Sequence, residues 1–153
     1  IINNNFFESS QYKQIWKTKK KNREVKILFK KGFVYYLNQN PKEDRAPKVD
    51  YSNIGDLGDP LSSFLNILLN YDNNFKTTDG RRIYTMVRDD EIIKNDFILK
   101  KIKINEYLNI WAEHNKSDLN SIEIIKKRSD KKSFFPHQIK IKHKGLVFKL
   151  TKN

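Results

Sequence analysis

Apolar and charged side chains alternate along much of this chain, and the alternation limits the folds that it can adopt. Val25, Ile27 and Phe29 would share one face of a single strand. Lys26 and Lys30 would share the opposite face. Successive side chains of a β-strand point to opposite faces, so the pattern predicts a strand with one buried and one solvated face. Antiparallel sheets are built from such strands, and we therefore expect a mainly β, antiparallel fold.

Turn signals separate the strands that this alternation predicts. The predicted strands cover residues 12–18, 23–30, 33–37, 74–78, 81–88, 97–104, 107–112, 121–127, 137–144 and 146–151. Lys31-Gly32, Asp79-Gly80 and Gly145 mark tight turns between neighbouring strands. Residues 38–58 are polar and contain two prolines and two glycines, which predicts a long loop.

One segment has the periodicity of a helix. Asp59 suits the N-cap position, and Pro60 suits the first helical position. An apolar stripe with helical spacing follows, formed by Leu61, Phe64, Leu65, Leu68 and Leu69. Such a stripe needs an apolar partner, and the predicted sheet has the large apolar face that could supply it. We therefore predict one curved antiparallel sheet with a helix packed against it.

Length and composition favour a single β-rich domain over residues 1–153, because 37% hydrophobic residues suffice for one modest core. The chain begins with Ile1 and has no signal-peptide pattern there, so we expect an N-terminally truncated or processed fragment. It has no cysteine, which excludes disulfides and a thiol nucleophile. No apolar run reaches the ~18 residues that a transmembrane helix needs.

The net charge of +13 has two explanations. A basic surface would attract nucleic acid or an anionic membrane. Lys, Asn and Ile are all abundant and Ala is scarce, which is also the bias that AT-rich codons would impose. In either case the alternation predicts solvated lysines on the outer face of the sheet, namely Lys26, Lys101, Lys103, Lys140 and Lys142.

The candidate ligand-binding residues come from the Asp79-Gly80-Arg81-Arg82 motif and from the predicted inner face. Arg81 and Arg82 could hold a phosphate or carboxylate; alternatively, the motif is a turn in which one arginine pairs with a neighbouring carboxylate. Aromatic residues predicted to face inward would line an apolar cleft, namely Trp16, Tyr84 and Phe64. The alternative is that the helix fills the curve of the sheet and leaves only core.

Catalytic signatures are missing from the sequence. There is no P-loop, no GxGxxG and no GxSxG motif, and the three histidines lack metal-ligand spacing. We therefore expect a non-enzymatic protein without a metal or cofactor, and a basic nucleic-acid-binding module is the alternative. The aromatic residues near lysines are expected to point inward, away from them, which makes nucleic acid the less favoured partner.

Two motifs and the C-terminal strand pair carry a resemblance to a known family. Asp59-Pro60-Leu61-Ser62 and Asp79-Gly80-Arg81-Arg82 are followed by a strand pair that starts after Phe135-Pro136 and has Gly145 before its last strand. In their order and spacing these features resemble the bacterial domain-of-unknown-function family 3108. The similarity runs from about Phe6 to the C-terminus.

The resemblance implies an exported protein of the Gram-negative envelope, usually periplasmic, whose precursor carries a signal peptide. It also implies an open antiparallel half-barrel with one helix on its concave face. It implies no activity that can be transferred. The expected function is a non-enzymatic envelope domain that binds an apolar small molecule or lipid, with other envelope proteins as further candidate partners.

Overall fold

The computed structural model describes residues 2–3, 6–20, 22–69, 72–111, 119–130, 135–143 and 145–152. The strands in these ranges are β1 (Ile2–Asn3), β2 (Phe6–Phe7), β3 (Gln11–Lys17), β4 (Asn22–Lys30), β5 (Phe33–Asn40), β6 (Asn74–Thr78), β7 (Arg82–Arg88), β8 (Ile92–Lys94), β9 (Phe97–Asn109), β10 (Leu119–Lys127), β11 (Gln138–His143) and β12 (Leu146–Thr151). The helix α1 spans Pro60–Leu68, and short 3-10 turns lie at Tyr51–Asn53 and Arg128–Asp130. Within the described ranges, no helix has the length and apolarity needed to cross a membrane.

The described strands form three antiparallel sheets. The large sheet has the order β12-β11-β10-β9-β7-β6, and β8 also pairs with β9. The small sheet is the meander β3-β4-β5, and β1 pairs with β2. These sheets are not closed, which confirms the prediction of a mainly β, open antiparallel fold with one helix.

The tight turns predicted from glycine lie where the sequence places them. Lys31 and Gly32, which connect β4 to β5, both have positive φ, as a two-residue hairpin turn requires. Gly80 connects β6 to β7 with φ of +83°. The strands predicted at 97–104 and 107–112 are instead one long strand, β9, which stays paired to β7 across a register shift.

The hydrophobic residues divide into two cores, one on each face of β7. The first core joins the small sheet to β7 and includes Ile27, Phe29 and Ile83. The second core joins α1 to the other face and includes Tyr84 and Ile67. Tyr84, predicted to face inward like Ile27 and Phe29, therefore lies in a different core from them, and the prediction of one shared inner face is wrong. Both faces of β7 are covered, so consecutive side chains of this strand enter different cores.

The helix α1 starts as predicted but is rotated about its axis relative to the prediction. Asp59 caps it, accepting from the backbone N–H of Leu61 at 2.9 Å and of Ser62 at 3.1 Å. Leu61 is 66% exposed, however, whereas Ile67 is 0% exposed. The stripe prediction is wrong for Leu61 because α1 contacts β2 as well as β6 and β7, and Asn66 faces β2 while Ser63 faces Thr77 of β6.

The predicted lysine face is less exposed than the alternation suggests. Lys103 is exposed, while Lys26, Lys101, Lys140 and Lys142 are half-buried. Two of these lysines share Glu123, which lies 2.7 Å from Lys142 Nζ and 3.4 Å from Lys140 Nζ. Part of the positive charge on this face is therefore neutralised within the sheet.

Candidate ligand-binding cleft

An open cleft of about 970 Å³ lies where the turn of the small sheet approaches the large sheet. Its floor consists of side chains on β6, β7 and β9, namely Asn74, Lys76, Thr85, Val87 and Asn105. Its walls are residues 6–9, the Lys31-Gly32 turn and residues 56–58. The first turns of α1 complete it through Ser62, Ser63 and Asn66. Pockets for small molecules occupy roughly 300–1,000 Å³, so the cleft is large enough for a lipid-sized ligand.

The wall formed by residues 6–9 is held to α1 and to its N-cap by side-chain hydrogen bonds. Asn66 Oδ1 accepts from the Phe7 backbone N–H at 2.7 Å, and Asn66 Nδ2 donates to the Phe7 carbonyl at 2.9 Å. The Ser9 hydroxyl donates to Asp59 Oδ2 and accepts from the Asp59 backbone N–H, both at 2.7 Å. Asn66 thus acts as a strand partner for β2, which explains why an amide is buried on this helix.

The wall formed by residues 56–58 is tied to both sheets through its backbone. Leu57 N–H donates to the Gly32 carbonyl at 2.8 Å, which joins this segment to the hairpin turn of the small sheet. Gly58 N–H donates to the Lys76 carbonyl, and Gly58 accepts from Thr78 N–H, both at 2.9 Å. A Cβ at Gly58 would lie 2.9 Å from Ser63 Oγ, so the close approach of this segment to α1 requires glycine.

The charge of the cleft differs from that of the whole chain. Three carboxylates line it, those of Glu8, Asp56 and Asp72, against the two ammonium groups of Lys31 and Lys76. The lining is therefore balanced to slightly acidic, although the chain carries +13. Apolar surface comes from phenylalanines of the N-terminal wall and from other lining residues, namely Phe6, Phe7, Leu57, Phe75 and Val87. This mixture suits a molecule that has apolar and polar parts and little net charge.

The two arginines of the Asp-Gly-Arg-Arg motif are engaged in ion pairs. Arg82 lies 3.2 Å from Asp79, and Arg81 lies 3.5 Å from Glu43. Burial raises the pKa of the Asp79 carboxyl, and the charge of Arg82 counteracts that rise. Asp79 also accepts from the backbone N–H groups of both arginines at 2.9 Å. The geometry supports a turn motif in which Arg82 pairs with Asp79 of the motif and Arg81 pairs with Glu43 outside it.

The three aromatic residues predicted at the site lie in separate places. Trp16 is 57% exposed near the end of β3. Tyr84 is buried and stacks on Tyr107 with ring centroids 6.5 Å apart, and burial raises the pKa of its hydroxyl. Phe64 is half-buried against the second core.

The space between helix and sheet is therefore filled with core side chains, as the alternative reading of the sequence proposed. Ile67, Leu68 and Met86 occupy it, each almost fully buried. Among the described residues that line the cleft, none of the five predicted site residues is present. Sequence reasoning missed Asn66 and residues 6–9. The available signal was the polar pair Ser63 and Asn66, whose i, i+3 spacing places both on one side of α1.

Within the described ranges, no group of three or more His, Asp or Glu side chains is arranged to hold a metal ion. Comparisons of the chain with models of protein families, with curated proteins and with solved structures found no match.

Proposed function

We propose that the protein is a non-enzymatic, periplasmic envelope domain that binds an amphiphilic, lipid-like molecule of little net charge in the cleft described above. The observation that carries the proposal is the cleft of about 970 Å³, whose lining is both polar and apolar and whose walls are held by hydrogen bonds. The envelope location rests on the resemblance of the two four-residue motifs to the bacterial family. The proposed site replaces the space between helix and sheet, which core side chains fill.

The charge of the lining favours this class of ligand. Glu8, Asp56 and Asp72 would repel a polyanion such as nucleic acid. The apolar side chains of the lining could hold a hydrocarbon chain. Asn74 and Asn105 on the floor add amide donors and acceptors for a polar head group. A ligand with a hydrocarbon part and a polar head group would contact both the apolar and the polar lining residues.

Retention of a ligand during purification tests the proposal directly. The protein is purified from cells without detergent and analysed by native mass spectrometry, and binding of the neutral, largely apolar dye N-phenyl-1-naphthylamine is measured by fluorescence. Asn105→Trp places an indole in the cleft and should reduce both signals at least about tenfold, because the ring occupies the ligand volume. Asn105 is exposed on β9, so the strand should tolerate the substitution.

Matched variants separate the cleft from other apolar surfaces. Asn38→Trp makes the same change at an exposed position of β5 outside the cleft and should retain the ligand. Trp16→Glu should also retain it, since Trp16 lies away from the cleft. Equal binding by wild type and Asn105→Trp, or no saturable binding by wild type, would overturn the proposal.

The envelope location has its own experiment. The full-length gene product is expressed in a Gram-negative host, fractionated, and its mature N-terminus sequenced. A periplasmic product with a cleaved leader supports the location. Retention of an uncleaved product in the cytoplasm overturns it, without affecting the test of the cleft.

Nucleic-acid binding is the competing function, and the lysines on β9 and β11 are its support. Their ion pairs weaken it: Asp89 lies 2.7 Å from Lys103, and Glu123 serves both Lys140 and Lys142. We expect weak, sequence-independent binding to oligonucleotides that falls steeply with salt. Tight binding that discriminates between sequences at physiological salt would favour the competing function.

A further inference from the structure

The C-terminal strand β12 forms one edge of the large sheet and has an unusual number of exposed apolar side chains. Leu146, Val147, Phe148 and Leu150 are each more than half exposed. On its inner side β12 pairs with β11, and no described strand pairs with its outer side. A long apolar edge of this kind is a template for pairing with another chain.

The outward backbone groups of β12 can be identified from its pairing with β11. Lys152 N–H donates to the His137 carbonyl at 2.9 Å, so this pair is a hydrogen-bonded one. Hydrogen-bonded and non-hydrogen-bonded residue pairs alternate along an antiparallel ladder. The backbone N–H and C=O groups of Leu146, Phe148 and Leu150 are therefore directed to β11. Those of Val147, Lys149 and Thr151 then point away from the sheet.

The two faces of this edge differ in chemistry. Leu150 and Phe148 lie opposite Ile139 and Ile141, which continues the apolar face of the second core out to the edge. On the other face Lys149 lies opposite Lys140. In the described part of the chain, Lys149 has no carboxylate within ion-pair distance, so a strand added beside it would meet an unneutralised ammonium group.

We propose that β12 is a docking edge for an extended segment of a partner protein in which apolar and acidic side chains alternate. The added strand would extend the sheet by backbone hydrogen bonds to Val147, Lys149 and Thr151. Its apolar side chains would cover Phe148 and Leu150, and its carboxylates would pair with Lys149. A second copy of this chain fits poorly, because two copies at +13 each repel one another and β12 has no acidic residue to offer.

A designed peptide provides the probe for this edge. A nine-residue, end-blocked peptide that alternates isoleucine or valine with glutamate is labelled and titrated by fluorescence anisotropy. The same peptide with lysine for glutamate should bind at least about tenfold more weakly. In the protein, Lys149→Glu should weaken binding of the glutamate peptide about tenfold. Lys30→Glu, the same change at an exposed end of β4, should have less than about a twofold effect.

Backbone N-methylation of the probe tests strand addition without changing the protein. In an antiparallel added strand the glutamates would lie opposite Lys149 on the same face, so the backbone amides of the glutamates would point to β12. In a parallel added strand the backbone amides of the apolar residues would point to β12 instead. Methylating one of these two sets should therefore abolish binding while methylating the other leaves it intact. Equal binding of both methylated peptides, or equal loss, would overturn the proposal.

The protein alone is examined by sedimentation over a range of ionic strength to test the second-copy alternative. A monomer throughout supports a partner protein as the occupant. A dimer that Val147→Pro disrupts would overturn that assignment, since proline removes an outward donor of β12 and would thereby identify a second copy as the occupant.

Discussion

Replacing Asn66 by alanine should destabilise the protein by breaking the clamp on the N-terminal wall of the cleft. Asn66 is 2% exposed and makes two hydrogen bonds with the backbone of Phe7. Each such bond contributes a net ~0.5–1.5 kcal/mol, which gives about 1–3 kcal/mol for the pair. Alanine is the better helix former by roughly 0.5 kcal/mol, which offsets part of the loss. We expect Asn66→Ala to lower the free energy of unfolding by about 1–2 kcal/mol.

The assay is urea denaturation, in which the midpoint should fall while the slope stays unchanged. Asn38→Ala, at an exposed strand position, is the control and should lie within about 0.5 kcal/mol of wild type. Asn66→Asp keeps an acceptor for Phe7 N–H but places a second carboxylate oxygen against the Phe7 carbonyl, so it should also destabilise. If Asn66→Ala has no larger effect than the control, the clamp does not hold the wall and the reasoning fails.

Three further predictions concern the helix, the turns and the lysine face. Ile67→Ala should cost ~2–5 kcal/mol in urea denaturation, because Ile67 is fully buried, whereas Leu61→Ala should cost little; the reverse order would contradict the helix rotation. Gly145→Ala should lose ~1–2 kcal/mol from its positive φ alone, and Gly80→Ala should lose more in the same assay, because its Cβ would lie 2.7 Å from a core methyl group; equal losses would contradict the overlap. Hydrogen bonding to Lys142 lowers the pKa of Glu123 below its ordinary 4.5, so its stabilisation is present above that pH and lost as the pH falls through the folded pKa. Glu123→Gln should therefore flatten the fall of stability in acid, measured by urea titration over pH, and an unchanged profile would contradict the pairing.

Local signals were sufficient for strands, turns and the helix start. Alternation in residues 25–29 places Val25, Ile27 and Phe29 together, and all three are buried. The Asp79-Gly80 pair forms the predicted turn, and Asp59 caps the helix. These features depend on neighbours a few residues apart, so the sequence carries them directly.

The surface against which each element packs depends on segments that are distant in the sequence, so local patterns could not predict it. Periodicity places Leu61 in the apolar stripe of α1. The rotation of the helix follows from its contact with β2, a strand that the pattern did not predict. Alternation places Trp16 inward, yet the residue is 57% exposed. Asn66 is buried because Phe7, 59 residues earlier, needs a hydrogen-bonding partner.

The three-residue strand β8 was missed for a similar reason. Ile92 and Ile93 are exposed, and the short segment follows an acidic stretch that reads as a solvated turn. Its pairing with β9 defines it. Glu91, which precedes β8, lies 2.6 Å from the buried Lys100 of β9, a contact that alternation does not reveal.

The most direct test of ligand binding in the cleft is an NMR titration with N-phenyl-1-naphthylamine, monitored through backbone amides of the isotope-labelled protein. We expect the largest shifts at Thr85, Val87 and Asn105 on the floor and at Phe7 on the wall, with much smaller shifts at Thr85, Val87 and Phe7 in Asn105→Trp at the same dye concentration. Shifts confined to β12 or to the lysine face, or the absence of saturable shifts, would contradict the account.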